Sequence, residues 1–262
     1  MGVMSKAAIV IPCYNETRRF DADQFRKLAS GPHATLFFVN DGSTDDTEST
    51  LRRFIASFPL ATAPALLSLP ANRGKGEAVR LGLQAACQKG FSLVGYYDAD
   101  LATPPEELLR LIELAAAGPQ SVIMGSRVKL LGSNIQRTFV RHVTGRFFAT
   151  AASWVLKMPV YDTQCGAKLF HCSPTLEAAL KEPFSSRWCF DVELIGRLLF
   201  PLESGIAGLS QKEFLEIPLK TWRGIAGSHL NPGSMLAAAL DLIKIGIALN
   251  RRRTHRHAYS NE

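Results

Sequence analysis

The chain lacks an apolar run long enough to cross a bilayer. Its longest, Met235 to Leu249, has 15 residues and is broken by Asp241 and Lys244. At about 1.5 Å per residue it reaches roughly 23 Å, short of a roughly 30 Å hydrocarbon core, so no transmembrane helix is expected. The N-terminus MGVMSKAAIVIPCYNE has one early lysine and too short an apolar stretch for a secretory signal, and Lys6 stands where a myristoylation motif needs Ser or Thr. The start therefore reads as mature and unmodified. Cysteine is scarce: Cys13, Cys87, Cys165, Cys172 and Cys189 are odd in number and scattered. They show neither C-x-x-C nor zinc-ligand spacing, so a reduced, cytoplasmic chain is expected, with Cys165, Cys172 and Cys189 as buried thiols. Neither a Walker A motif nor a G-x-G-x-x-G after a strand is present. The 20 Gly and 14 Pro follow no period, which excludes collagen-like and low-complexity classes. Acidic residues run short in one half: residues 127–262 hold 18 Lys/Arg against 10 Asp/Glu, and the whole chain carries +7. An anionic partner is implied for that half, and nucleic acid, a membrane surface and phosphates are all open at this point.

What is present is a globular composition, 47% apolar with 15 Phe over 262 residues, enough for one large α/β domain. Short β-branched or aromatic runs at Ala8 to Ile11, Leu36 to Val39, Leu66 to Leu69, Leu93 to Tyr97 and Val122 to Met124 alternate with helical patterns at Asp45 to Phe58, Lys75 to Lys89 and Pro105 to Ala116. That alternation predicts a mostly parallel sheet flanked by helices. Residues 1–126 form a first half of this single domain, 127–250 a more helical second half, and 251–262 a basic tail. The second half reads as a basic amphipathic helix over Arg137 to Lys157, an irregular stretch, a helix near Trp188 to Leu199, a strand-like FLEIPLKTW and a final helix. In open α/β sheets ligands bind outside the carboxyl ends of the strands, so the chemistry belongs after those runs.

Asp98-Ala99-Asp100 directly follows the strand LVGYY. Two carboxylates at i and i+2 on an extended segment point to the same side and suit one hard divalent cation, Mg2+ or Mn2+, bridging a diphosphate. The competing reading is a solvated acidic turn. NRGKGEAVRLG places Arg73 and Lys75 beside Gly74 and Gly76 at a helix start, where close backbone approach and the helix N-terminus favour an anion. In NDGSTDDT, Asp41 ends a strand and is suited to accept hydrogen bonds from a base or ribose, Ser43 and Thr44 are candidate helix caps, and Asp45 and Asp46 serve the helix dipole. Thr103 before Pro104, Pro105 and Glu106 marks another helix start.

These pieces, in this order, resemble family 2 glycosyltransferases of the GT-A fold: IPCYNE (Ile11 to Glu16), VNDGSTDDT (Val39 to Thr47), NRGKGEAV (Asn72 to Val79), YDADLATPPEEL (Tyr97 to Leu108) and GSR (Gly125 to Arg127). YDTQCGAKLF (Tyr161 to Phe170) and RWCFDVEL (Arg187 to Leu194) narrow the resemblance to the dolichyl-phosphate and polyprenyl-phosphate glucosyltransferases. The resemblance covers about residues 7 to 250. It implies a Rossmann-like sheet followed by an acceptor-side helical region, with Pro12, Tyr14, Glu16 and Asp41 on the nucleotide's base and ribose. Arg73 and Lys75 would lie near the diphosphate, Asp98 near ribose and metal, and Asp100 on the metal. Gln164 and Gly166 would face the sugar, and Arg127, Arg137 and Arg141 would hold an acceptor phosphate. Mannose synthases of this kind carry Gln two places after the second aspartate, where Ala102 stands here, which favours the glucosyltransferase-like branch.

The implied reaction is inverting transfer of a hexose, glucose from UDP-glucose foremost, to a polyprenyl phosphate, with Asp100, Arg127 and Asp191 as catalytic candidates. A hydroxyl acceptor needs a general base, whereas a phosphate monoester with a second pKa near 6 already offers an anionic oxygen. Asp191 is accordingly a base or an orienting carboxylate, Glu193 can share its work, and both also fit a first helical turn. Transfer to a glycan, glycolipid or protein hydroxyl is the alternative; a nucleic-acid binder is the rival of another class, and the sequence carries no recognisable reader for one. The stripe Phe139, Val140, Val143, Phe147, Ala151, Trp154 and Val155, and the run Arg251 to His257 after the last apolar helix, fit peripheral contact with the inner face of a membrane, or else an ordinary covering helix and a solvated tail. Trp188 and Trp222 are expected in the core or packed at the sugar's edge. Oligomeric state is not legible.

Overall fold

The structure, a computed structural model, describes residues 6–136, 139–202, 205–224 and 232–259. The expected units of the first half appear within two residues at each end: β1 (Ala7–Cys13), β2 (Ala34–Asn40), α2 (Thr47–Ala56), β3 (Ala65–Ser68), α3 (Lys75–Gln88), β4 (Leu93–Tyr97), α4 (Pro105–Ala117) and β5 (Val122–Ser126). Between β1 and β2 lies α1 (Ala22–Ser30), which was not expected; Asp21 caps it by accepting from Gln24 N at 3.0 Å. β1 is apolar almost without interruption because helices cover both of its faces: Ala8 and Val10 pack into one buried cluster, Ile9 and Ile11 into the other.

The second half adds β6 (Asn134–Gln136), α5 (Phe139–Leu156), β7 (Ala167–His171), α6 (Pro174–Lys181), α7 (Phe190–Leu199), β8 (Phe214–Pro218), β9 (Thr221–Arg223) and α8 (Pro232–Tyr259). β6 and β9 pair in parallel as a separate ribbon. The stretch read as irregular thus holds β7 and α6. β7 inserts antiparallel between β4 and β5, giving the order β3-β2-β1-β4-β7-β5-β8 with every other pairing parallel. β1 and β4 are neighbours joined to strands on opposite sides, so a crevice opens between their carboxyl ends. Because β7 runs the other way, its first residues arrive at that same crevice.

α5 turns Ala149, Ala152 and Leu156 inward and leaves Phe147 and Trp154 about three-quarters bare. α8 buries Leu242, Ile245 and Leu249 and exposes Leu236, Leu240, Ile243 and Ile247. The basic run expected as a tail continues α8 instead, as far as Tyr259. Arg253 Nη2 donates to Val155 O at 2.7 Å and its guanidinium lies over Phe200, which fastens α8 to the body. Among the described residues, no helix is long and apolar enough to cross a membrane.

The expectation of wholly reduced cysteines is corrected. Cys87 at the end of α3 and Cys172 after β7 form a disulfide with a Cα–Cα distance of 6.1 Å. They are 85 residues apart in the chain, and only the insertion of β7 beside β4 brings them together. Cys13, Cys165 and Cys189 are free and buried, as expected for structural thiols. Burial pushes the Cys165 thiol up to about 11, which keeps it protonated and inert at neutral pH.

Candidate active site

The crevice is lined by the loops after β1, β2 and β4, the starts of α3 and α7, and the residues entering β7. β4 ends in Asp98-Ala99-Asp100. Asp98 N donates to Gly166 O at 2.9 Å, and its carboxylate lies directly on the Gly166 Cα, where a Cβ would stand 2.0 Å from Oδ2. Gly166 is therefore glycine because Asp98 occupies the space of its side chain. Lys75 Nζ is 2.5 Å from Asp98 Oδ1. Asp100 Oδ1 accepts from Ala102 N at 3.0 Å across Leu101, which holds the left-handed φ of 55°, a strain that marks a turn fixed by its surroundings.

Lys75 and Arg19 offset part of the acidic charge here, but burial outweighs them at Asp100 and Glu16. Burial first, and then the neighbouring Asp98, push the Asp100 carboxyl above its ordinary range. Glu16 is also pushed up, chiefly by burial and with a contribution from Asp100, although Arg19 donates to its Oε1 at 2.8 Å. Its Oε2 is buried without a hydrogen-bond partner. Lys75 responds in the opposite sense: its own desolvation works against the charge, but Asp98, Asp191 and Asp100 outweigh it and hold the ammonium above its usual value.

Asp41 takes a role the sequence did not show. Its two oxygens accept from Arg73 N and Gly74 N, each at 2.8 Å, so it clamps the loop before α3 and is buried in doing so. Gly74 has φ +95° and Arg187 lies against it, with Nη2 donating to Asn72 O and Asn72 Oδ1, each at 3.0 Å. Arg73 itself is half exposed, 3.3 Å from Glu77. Ser43 and Thr44 do not cap α2: Ser43 Oγ accepts from Asn15 N and Thr44 N donates to Asn15 Oδ1, which pins the β1 and β2 loops together. The α2 cap position is Asp46, and Asp45 accepts from Thr47. Pro12 is half-buried and Tyr14 exposed beyond it.

Asp191, in the first turn of α7, is buried and its Oδ1 accepts from Lys168 Nζ at 2.7 Å and from the Tyr96 hydroxyl. Glu193 does not share that position. It accepts from Ser185 N and Ser185 Oγ and pairs with Arg197 at 2.7 Å, holding the loop before α7. Arg127 is gripped by Asp162 in a fork, Nε to Oδ2 at 2.6 Å and Nη2 to Oδ1 at 2.8 Å, and lies over Trp222. Gln164 N donates to Asp162 Oδ1, and its Nε2 is buried without a partner. Arg137 lies outside the described residues; Arg141 is in α5, with its side chain outside them. Trp222 is buried as expected, whereas Trp188 is 70% exposed.

Lys168, Arg187 and Asp162 are the residues sequence reasoning passed over. Lys168 sat inside an apolar run, and Arg187 and Asp162 each had a neighbour that looked more chemical. Their shared signal was a charge inside an otherwise apolar or family-like motif.

The family profile described as Glycosyl transferase family 2 matches residues 8–186. The chain is 33% identical over 256 residues to a dolichyl-phosphate beta-glucosyltransferase of Trichomonas vaginalis, covering 91% of this chain and 70% of that one. It is 30% identical over 259 residues to the enzyme of that name from Saccharomyces cerevisiae, covering 91% and 71%, and 31% identical over 262 residues to that from Homo sapiens, covering 91% and 74%. A solved structure of glucosyl-3-phosphoglycerate synthase from Mycobacterium tuberculosis, in complex with Mn2+ and UDP-glucose, superposes with a TM-score of 0.64 at 18% identity, covering 94% of this chain and 79% of that one. That likeness concerns the fold, a mostly parallel α/β sheet of the GT-A kind.

Proposed function

The chain belongs to glycosyl transferase family 2, and from that membership we propose that it moves glucose from UDP-glucose, with inversion, onto a polyprenyl phosphate at the cytoplasmic face of a membrane. The observation that carries the reading is the Asp98–Asp100 pair, seated on Gly166 and facing Lys75, in a chain about 30% identical over nine-tenths of its length to dolichyl-phosphate beta-glucosyltransferases.

The residues fit a divalent cation. Asp98 and Asp100 offer only oxygen, Asp100 is pushed up by burial and then by the adjacent Asp98, and among the described residues no group of three His, Cys, Asp or Glu forms a full protein cage. Asp98 and Asp100 would hold Mg2+ or Mn2+, whose charge would neutralise that developing on the departing nucleotide. Lys75, raised and facing Asp98, adds a fixed positive charge beside the same diphosphate. Tyr14, Pro12 and Glu16 border the nucleoside end, while Asp41 acts through the Arg73–Gly74 loop it clamps. Gln164 presents its amide toward the sugar. Arg127, its charge already shared with Asp162, works with Arg137 and Arg141 on the acceptor phosphate.

Asp191 is an orienting carboxylate in this scheme. An acceptor phosphate is ionised at neutral pH and attacks C1 without a base. Asp191→Asn is therefore expected to cost about tenfold in kcat; a hydroxyl acceptor would turn that into the loss of about 10²–10⁴-fold typical of a missing general base. Phe147 and Trp154 on α5, the apolar edge of α8 and the exposed Arg251 near its end form the surface that would rest on the lipid, at about 1 kcal/mol per cation near anionic headgroups.

The test is consumption of a panel of UDP- and GDP-sugars in Mn2+, with and without a short-chain polyprenyl phosphate. UDP-glucose consumed only with the lipid phosphate is the expected result; a donor hydrolysed equally in its absence would overturn the acceptor. Arg187→Ala frees the loop it bonds at Asn72 and is expected to raise the KM for the donor about tenfold with little change in kcat.

A further inference from the structure

Lys168 is a lysine in the middle of the sheet, 1% exposed. Its ammonium has three protons and three partners: Asp191 Oδ1 at 2.7 Å, Tyr96 Oη at 2.8 Å and Cys165 O at 2.6 Å. The partners belong to α7, β4 and the entry to β7, the three pieces that carry Asp191, Asp98 and Gly166. A buried cation on a flexible stem costs desolvation and rotamer entropy, so a merely apolar core would do better with a hydrocarbon in its place. What the lysine gives is a fixed carboxylate. α3 and α7 start against each other: a Cβ on Gly76 would lie 2.8 Å from the Phe190 Cβ, and Lys75 Nζ stands 5.9 Å over the Phe190 ring. Lys75 therefore lies between Asp98, which it pairs with, and the neighbourhood of Asp191, whose charge it also feels.

We propose that Lys168 is a positioning residue for the transfer reaction: it pins Asp191 from beneath the cleft, so that Asp191 orients without drawing Lys75 away from Asp98 and the donor's diphosphate. This rests on the reading of the cleft as a nucleotide-sugar site. Without Lys168, the buried Asp191 carboxylate would keep the Tyr96 hydroxyl but lose its cation, and Lys75 is the cation at hand to replace it. The damage would then reach the donor through Asp191 and Lys75, with Lys168 itself touching only Asp191 of the two.

The experiment measures UDP affinity by calorimetry in Mn2+, together with melting temperature, for the full chain and its variants. Lys168→Met is expected to weaken UDP about tenfold and lower the melting temperature. Adding Asp191→Asn, which removes the unpaired charge, is expected to restore both to the values of Asp191→Asn alone. In a Lys75→Met background, Lys168→Met is expected to leave UDP affinity unchanged, which a purely structural role would not produce. Should Lys168→Met fail to fold, the comparison of Asp191→Asn with Lys168→Met/Asp191→Asn decides: equal UDP affinity supports the proposal, and a further tenfold loss overturns it. Unchanged affinity in Lys168→Met, or a tenfold loss that persists without Lys75, overturns it as well. A protein that binds UDP yet transfers nothing to polyprenyl phosphate would refute the acceptor and leave this comparison standing.

Discussion

Asp100→Asn is expected to melt higher than the parent protein in chelator at pH 7, and to lose about 10²–10³-fold in transfer when metal is supplied. Both halves follow from the same imbalance. Burial and the adjacent Asp98 raise the Asp100 carboxyl, and burial raises Glu16 nearby. A carboxyl with a raised value in the folded state binds more protons there than in the unfolded chain, so the unfolding free energy falls as pH rises through that window. The contribution is fully present below the ordinary carboxylate value of about 4 and is lost as pH climbs past the raised one. The advantage of Asp100→Asn is accordingly small near pH 4 and full at pH 7, and it shrinks when Mn2+ stabilises the parent alone. Thermal melts in chelator and in Mn2+ across that range check it; a variant that melts below the parent at pH 7 in chelator would show that Asp100 is satisfied by the protein itself.

Gly166→Ala carries the second large effect. The new methyl would fall 2.0 Å from Asp98 Oδ2 and 2.1 Å from its Cγ, while the Asp98 N to Gly166 O hydrogen bond keeps the two backbones from separating. The side chain has to give, and Asp98 swings off Lys75. A loss of more than about 100-fold in transfer is expected, with overpacking costing about 1–3 kcal/mol in stability. The double variant Gly166→Ala/Asp98→Ala separates the two: removing the carboxylate removes the clash, so the melting temperature recovers while transfer does not. Full activity in Gly166→Ala would mean that Asp98 is free to sit elsewhere.

How far such a site is legible in sequence depends on what kind of order each residue obeys. β1 to β5 and the helices α2 to α4 are local, with buried strands reading as apolar runs and helices as 3.6-residue stripes, and their ends fell within two residues of expectation, whereas α1 went unread. Asp98 and Asp100 do follow a strand end, but the extended segment expected to aim both carboxylates is instead a turn, closed by Leu101 N donating to Asp98 O at 3.3 Å. β7 was not legible, since a strand of five residues with a buried lysine at its second position breaks the apolar pattern, and an antiparallel insertion leaves no mark on its own sequence. The pairing of Cys87 with Cys172 depends on that insertion and was lost with it. Asp41 illustrates a different limit. Its position at a strand end was right, but both oxygens face backbone amides 32 and 33 residues away, a partner no spacing rule names. Lys168 and Arg187 are charges whose meaning lies wholly in long-range contacts.

Passage of a sugar from a nucleotide to a lipid phosphate with inversion is tested most directly by proton and phosphorus NMR of the product formed from UDP-glucose and a short-chain polyprenyl phosphate. UDP-glucose carries an α-linked sugar, so a β-linked glucosyl phosphate, formed only in the presence of the lipid, is the predicted result. An α-linked product, or free glucose released at the same rate with and without the lipid, would contradict it.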